Sequence, residues 1–393
     1  MKMNQVYEIV NNITREALGE SAVVAEDLSN VVDIGRAFES MDGRYDNFVR
    51  RLPDHIGRVI NVDRPFTAPI LRRMLRDGWE FGAMLQKTRM KLPAAVENEA
   101  WTLYDGESVD PFIVTTPDVS TKFFSDRTTF TIPMTRTEDQ IKSAFSSATQ
   151  MNSFLSMIET NIRNSMEIKN AELARRILNA GISETLYNAY NSGSVFTGAG
   201  NTRAVNLLYR YNQTVPAADA LTASNAIFSP AFIRFASYEI KNCIGRMRDY
   251  SSLFNVGGYG NHTPGELLNI YMLNEFRNAA GVYLYDGLNQ FNTEEVRLPE
   301  DGIEVVPYWQ GSGTDYAFSS TSSINVTNPF NHTVTASGIL AVLTDRDAAA
   351  ITNENMRTDT IWNPRGRYWN SWNSADAGYI LDLNENFVVF FIA

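Results

Sequence analysis

Residues 137–181 read TEDQIKSAFSSATQMNSFLSMIETNIRNSMEIKNAELARRILNAG. The stretch contains no proline, and its only glycine is the last residue. Ile141, Phe145, Ala148, Met151, Leu155, Ile158, Ile162 and Met166, then Leu173 and Ile177, are spaced by threes and fours over most of the run. That spacing places them on one face of an α-helix. Thr137 and Gln140 fit a capping box, with acidic residues in the first turn. Arg175 and Arg176 suit the C-terminal end of the dipole, and Gly181 is read as the stop. About forty residues at 1.5 Å each make a helix of about 60 Å. A compact globule of this chain length is about that wide. The helix is expected to cross the whole molecule, as suits a building block better than an enzyme.

Upstream, residues 78–135 change texture. GWEFGAMLQKTRMKL and TKFFSDRTTFTIPM are rich in Thr and aromatics with strand-like alternation, separated by a polar stretch. They are expected to form a long projecting β-hairpin with an elaborated tip. Residues 1–52 read as short amphipathic helices, each in need of a partner surface. Residues 44–91 carry eleven Arg and Lys against five Asp and Glu. Such a run is either a salt-bridged face or a contact with an acidic partner, protein or nucleic acid.

Downstream, SPAFIRFASYEIKNCIGRMRDYS and TPGELLNIYMLNEFRNAAG read as helices, the second with Pro264 in its first turn. Loops rich in Gly, Ser, Asn and Thr surround them. From residue 338 strands dominate, and the final NFVVFFIA is apolar enough to be a central strand buried on both faces. Three of the six tryptophans, Trp362, Trp369 and Trp372, flank Asn363-Pro364-Arg365-Gly366. This tetrapeptide suits a type I turn. The turn places Ile361 opposite Tyr368 and Trp362 beside the stem of Arg367. The hairpin is either a core element or a subunit contact, since Trp and Tyr serve both.

The 393 residues carry a net charge of −11, which argues against a dedicated nucleic-acid binder. Twenty-seven of the 34 basic residues are Arg, the cation favoured at protein interfaces. The single cysteine, Cys243, reads as a buried small hydrophobe and points to a reducing compartment. No signal peptide and no membrane span is expected. The three histidines fall in no zinc spacing, and there is no nucleophile elbow or Walker A loop. FNVGGYGNHTPGELL, which comes nearest to a phosphate cradle, reads as a loop. No catalytic, cofactor-binding or metal-ligating residue is expected.

NPRGRYWN at 363–370, following VLTDRDA at 342–348, resembles the C-terminal part of the phi-29-type major capsid protein of short-tailed phages. EDQIKSAFSSATQMNSFLSMIETNIRNSMEI at 138–168 is similar to the start of that family's long helix, in particular Asp139, Lys142, Ala144, Phe145, Phe154 and Asn164. Residues 55–135 match in pattern only, and 182–335 show no useful match.

The resemblance implies an α+β, Hong Kong 97-like capsid fold. Its parts would be an N-terminal arm (1–69), an extended β-hairpin E-loop (70–135), a peripheral domain with a long spine helix (136–199), an axial domain (200–341), and C-terminal strands completing the peripheral domain (342–393). The function implied is a major capsid protein self-assembling into the icosahedral shell around the double-stranded DNA of a short-tailed bacteriophage, with an encapsulin-like compartment shell as the alternative. Expected partners are further copies in pentamers and hexamers, a scaffolding protein, a portal, and nonspecifically bound packaged DNA. The place is the virion capsid, after assembly in the host cytoplasm. Because the chain has room neither for an appended immunoglobulin-like domain nor for a long helical N-terminal extension, the scaffold is expected to be a separate protein. Expected subunit contacts are Arg72, Arg73, Arg76, Trp79, Trp101, Trp362, Arg365, Arg367, Trp369 and Trp372. Lys87, Lys91 and Lys122 fall in the E-loop segment, with no partner Asn or catalytic Glu identified for covalent crosslinking.

Overall fold

The computed structural model describes residues 3–18, 24–25, 29–42, 73–76, 85–90, 118–284, 303–310 and 317–393, with isolated positions between 95 and 116. Its helices are α1 (Met3–Leu18), α2 (Val31–Asp42), α3 (Glu138–Ala144), α4 (Ala148–Tyr190), α5 (Leu207–Asn212), α6 (Pro230–Met247) and α7 (Asn274–Leu284), with one further short turn at Phe318–Thr321. Its strands are β1 (Leu75–Arg76), β2 (Leu85–Met90), β3 (Val119–Phe124), β4 (Arg127–Thr137), β5 (Ala204–Asn206), β6 (Leu268–Leu273), β7 (Ile303–Val306), β8 (Ile324–Thr327), β9 (Thr333–Ala336), β10 (Ile339–Asp345), β11 (Ala349–Asn363), β12 (Tyr368–Leu381) and β13 (Phe387–Phe391). No described helix is long and apolar enough to cross a membrane.

The chain forms two compact units. The first is Met1–Glu80, Arg127–Ala174 and Ile351–Gly378; the second is Phe81–Asp126, Arg175–Ala350 and Tyr379–Ala393. The expected boundary at 341/342 therefore falls inside β10, and the last strand belongs to the second unit.

In the first unit a sheet of order β1-β11-β12-β4 packs its inner face on helices. Ile141, Phe145, Met151, Leu155, Ile158 and Ile162 from the expected helical face join Ile9, Val10 and Ile13 of α1, Val31 and Ile34 of α2, and Trp369 in one core. The N-terminal helices thus find in their own chain the partner surface that each of them needs.

The long helix differs from expectation at both ends. The capping box is present at Thr137, but α3 stops at Ala144 and α4 begins at Ala148. Ser146 Oγ turns back to Ser143 O at 2.6 Å, and Ser147 Oγ accepts from Gln150 N at 3.3 Å. Paired serines that bond to the backbone close one helix and cap the next. At the far end the helix passes through Gly181 to Tyr190 and stops at Asn191, which takes the left-handed conformation at φ 50°.

Gly181 serves packing. A Cβ there would lie 2.6 Å from Phe387 Cζ, on a side chain with no exposure. Gly181→Ala is expected to cost about 1–3 kcal/mol by overpacking. Urea unfolding of the variant reads this cost directly, and an unchanged midpoint would mean that Phe387 moves aside freely.

Phe387 sits on β13, an interior strand of the second unit's five-stranded sheet, ordered β5-β13-β10-β6-β7. Every residue of β13, β10 and β6 is buried, as continuous apolar runs covered on both faces should be. Leu268–Leu273 corrects the sequence reading, which placed a single helix over this region. Pro264 opens only a short 3-10 turn, β6 follows, and α7 starts at Asn274. A short apolar run carries no period that separates strand from helix, and pairing with β10 and β7 decides it. The other expected helix is α6, with Ser229 accepting from Phe232 N and Pro230 in the first turn. Cys243 is buried on it, and burial pushes its thiol up to about 12.

Candidate assembly surfaces

The aromatic turn is a four-residue loop, Pro364 to Arg367, rather than a two-residue one. Asn363 Oδ1 accepts from the amides of Arg365 (3.0 Å) and Gly366 (3.3 Å), and its Nδ2 donates to Tyr368 Oη at 2.8 Å. Arg367 takes φ 50° to rejoin the strand. The pairing consequently moves by two residues from the expected register. Thr360 lies against Ser371 and Thr358 against Asn373, so Trp362 meets Trp369 with ring centroids 4.2 Å apart. Trp369 is completely buried, and half-buried Trp362 packs against the same core. The core reading of this hairpin therefore describes Trp362 and Trp369. Trp372 is on the opposite face, paired with Pro133 of β4, and Arg365 and Arg367 are exposed in the loop.

That outer sheet face is largely polar. Thr129 donates to Asp376 at 2.7 Å, Thr135 donates to Asn370 at 2.7 Å, and Thr131 and Ser374 are 3.3 Å apart. Exposed Ile361 and half-buried Trp372 supply its apolar part. β4 forms the sheet edge among the described strands, where a proline such as Pro133 is tolerated. On the inner face β4 buries Arg136 beside Trp369. Among the described residues its Nε and Nη1 meet no hydrogen-bond partner and its Nη2 reaches only Met134 Sδ at 3.7 Å, and burial pushes its pKa down to about 10.

In the second unit, β2 and β3 form a two-stranded hairpin with its polarity inverted. Lys87, Arg89 and Lys122 point toward buried Asp382 and Glu385. Lys87 Nζ is 3.0 Å from Asp382 Oδ2, Lys122 Nζ is 3.2 Å from Asp382 Oδ1, and Lys87 and Arg89 both contact Glu385 Oε1. Burial lowers the pKa of Lys87 even against the pull of Asp382. Burial alone would raise Asp382, but Lys87 and Lys122 hold it below the ordinary carboxylate value. A cavity of about 200 Å³ opens beside them, lined also by Ser120, Thr121, Tyr259 and Asn384. The other hairpin face carries Met90, Val119 and Phe123, all more than half exposed. Met90 pairs with Val119, and Thr88 with Thr121 between them and Phe123.

Of the expected contact residues, Arg72, Trp79 and Trp101 lie outside the described residues, as does Lys91. Arg73 and Arg76 are half-buried at β1, which pairs with β11. The outer hairpin face was missed by sequence reasoning. Its signal was the alternation in LQKTRM and VSTKFF, which shows two faces but not which one meets the body. Among the described residues no group of three His, Cys, Asp or Glu could hold a metal ion.

The family description "Phi29-like phage major capsid protein" fits residues 10–391. No curated protein matches the chain. Solved structures similar to it include the capsid of Staphylococcus phage Andhra, at 11% identity over 81% of this chain and 82% of that one, with a TM-score of 0.49. Another is from the structure of the head fiber and inner core protein gp22 of native bacteriophage P68, at 11% identity over 82% and 83%, with a TM-score of 0.47. The mature capsid of bacteriophage PhiM1 gives 10% identity over 84% and 86%, with a TM-score of 0.41. The family match does not favour the encapsulin alternative. Spanning nearly the whole chain with a mixed helix-and-sheet fold, this protein belongs to the Phi29-like phage major capsid proteins, structural subunits of which many copies form the capsid of the virion.

Proposed function

We propose that copies of this chain close an icosahedral shell of pentamers and hexamers around the double-stranded DNA of a short-tailed phage, and that the β2–β3 hairpin is the E-loop that lies across a neighbouring copy. The inverted hairpin carries this reading. A two-stranded hairpin in water is marginal without a packed apolar face. This one turns its cations inward and leaves Met90, Val119 and Phe123 to solvent, which suits a strand pair whose apolar face is covered by another subunit. In the same reading α4 is the spine helix and residues 1–69 form the arm. The first unit is then the peripheral domain, and the sheet with α5 to α7 is the axial domain, extended past 341 to take in all of β10 and β13. Arg73, Arg76, Trp372, Arg365 and Arg367 remain the subunit contacts, with Trp362 and Trp369 bracing the loop from inside. A separate scaffolding protein and a portal take part, assembly occurs in the host cytoplasm, and DNA is held nonspecifically because an acidic chain binds phosphate weakly.

The test is electron microscopy of particles from cells that express the chain with its scaffold. Phe123→Asp together with Val119→Asp should leave the subunit's unfolding midpoint unchanged and lower the yield of closed particles by about tenfold or more, the equivalent of 1.4 kcal/mol per contact set. Normal yields would show that this face stays in solvent and remove the hairpin from the interface.

A further inference from the structure

Helix α6 presents a surface of a different kind. It buries Phe232, Ile233, Ile240 and Ile244 on one side. On the other, Arg234, Tyr238, Lys241, Gly245 and Arg248 recur at spacings of four and three, which lines them along one helical face. Tyr238 is 61% exposed. Arg246 and Arg248 are exposed and stand in no ion pair among the described residues. The chain after the helix extends the patch with Tyr250 and Leu253, both more than half exposed. Their loop is nonetheless held. Ser251 and Asn261 exchange two backbone hydrogen bonds of 2.8 and 3.0 Å, and Thr202 Oγ1 donates to Leu253 O at 2.7 Å. Exposed aromatic and apolar side chains on a fixed backbone lose little entropy on docking.

From this face we infer a second contact between copies of this chain, in which the Tyr238–Arg248 side of α6, continued by Tyr250 and Leu253, docks on an acidic surface of a neighbouring subunit. The inference rests on the shell reading above and adds a contact that the hairpin does not make. Charge complementarity supports it: residues 230–253 hold four cations and two acids, while each whole chain carries −11. Composition selects a protein partner over nucleic acid. Arg and Tyr are the residues enriched at protein interfaces, and exposed Leu253 would gain nothing from a phosphate backbone. The helix dipole accounts for cations in the last turn. It does not account for Tyr238, Tyr250 or Leu253.

The test places the photocrosslinker p-benzoylphenylalanine at Tyr238, and in a second sample at Phe123, as a minority of chains in particles built mainly from the wild-type chain. Irradiation at 238 should yield a protein adduct at twice 44.1 kDa. Arg246→Glu with Arg248→Glu should lower particle yield by about tenfold, well beyond the small loss of subunit stability that reversing charge at a helix C-terminus brings. A DNA adduct at 238 overturns the inference in favour of a genome-facing surface. An adduct at 123 with none at 238 also overturns it, while leaving the hairpin reading intact. Loss of the adduct at 123 alone sinks the hairpin reading and leaves this one.

Discussion

Replacing Arg136 with methionine should raise the stability of the free subunit by about 1–4 kcal/mol, the range seen when buried charges give way to well-packed apolar side chains. Arg136 is 2% exposed, yet no carboxylate among the described residues answers it. Among the described residues two of its three nitrogens meet no hydrogen-bond partner, and the third has only a thioether, so desolvation of the guanidinium goes uncompensated there. Methionine reproduces the unbranched stem of arginine as far as Nε and would lie among Met134, Trp369 and the helical core without a polar atom to satisfy. Urea unfolding followed by tryptophan fluorescence is suited to the measurement, because the Trp362–Trp369 pair adjoins the site. Arg136→Lys, which keeps the charge, should bring no gain. If the methionine variant were less stable than wild type, the guanidinium would have to possess an anionic partner in solution.

The sequence made some elements legible because their signals are local. The apolar spacing of residues 141–162 and the Thr137 capping box can be read without knowing what they pack against, and both stand. Ser147 followed by Gln150 was an equally local cap signal, hidden because the apolar face continues in phase across the break. Gly181 misled for the opposite reason. A glycine after a helical run resembles a stop, and only Phe387, two hundred residues on, shows that the helix needs the missing Cβ. The same distance effect governs Leu268–Leu273, a strand because β10 and β7 flank it. In the candidate surfaces, the tryptophans stood out by composition, but a two-residue change of register moved Trp362 from Arg367 to Trp369. The hairpin's orientation was illegible. Its cations face inward only because Asp382 and Glu385, near the other end of the chain, are there to receive them.

Those two acids set the remaining large effect. Asp382→Asn should cost about 3–5 kcal/mol of local stability in the hairpin, since removing one partner strands the others in a desolvated site. The Asp382 side chain is 1% exposed and contacts both Lys87 and Lys122. Asparagine keeps the size and an oxygen for the Asn384 amide, which Asp382 Oδ1 now accepts at 3.2 Å, so the loss reports charge rather than shape. Exchange of the hairpin amides between Gln86 and Arg89 and between Ser120 and Phe123 should accelerate by about a hundredfold or more, at 1.4 kcal/mol per tenfold. The wild-type hairpin should also loosen in acid. The folded pKa of Asp382 lies below its unfolded value of 3.8, so its contribution is complete above 3.8 and drains away as the pH falls through the folded value. Lys87 acts in the same direction at the alkaline end. Its folded pKa lies below 10.5, so the unfolded chain holds the proton more tightly and stability rises as the pH climbs toward 10.5. Asp382→Asn should reduce the acid-side dependence of hairpin exchange, once intrinsic rates are divided out, to the part that Glu385 carries, and leave that of the second unit's five-stranded sheet unchanged. Equal exchange in variant and wild type would mean that apolar contacts hold the hairpin, and that its inward cations are only passengers.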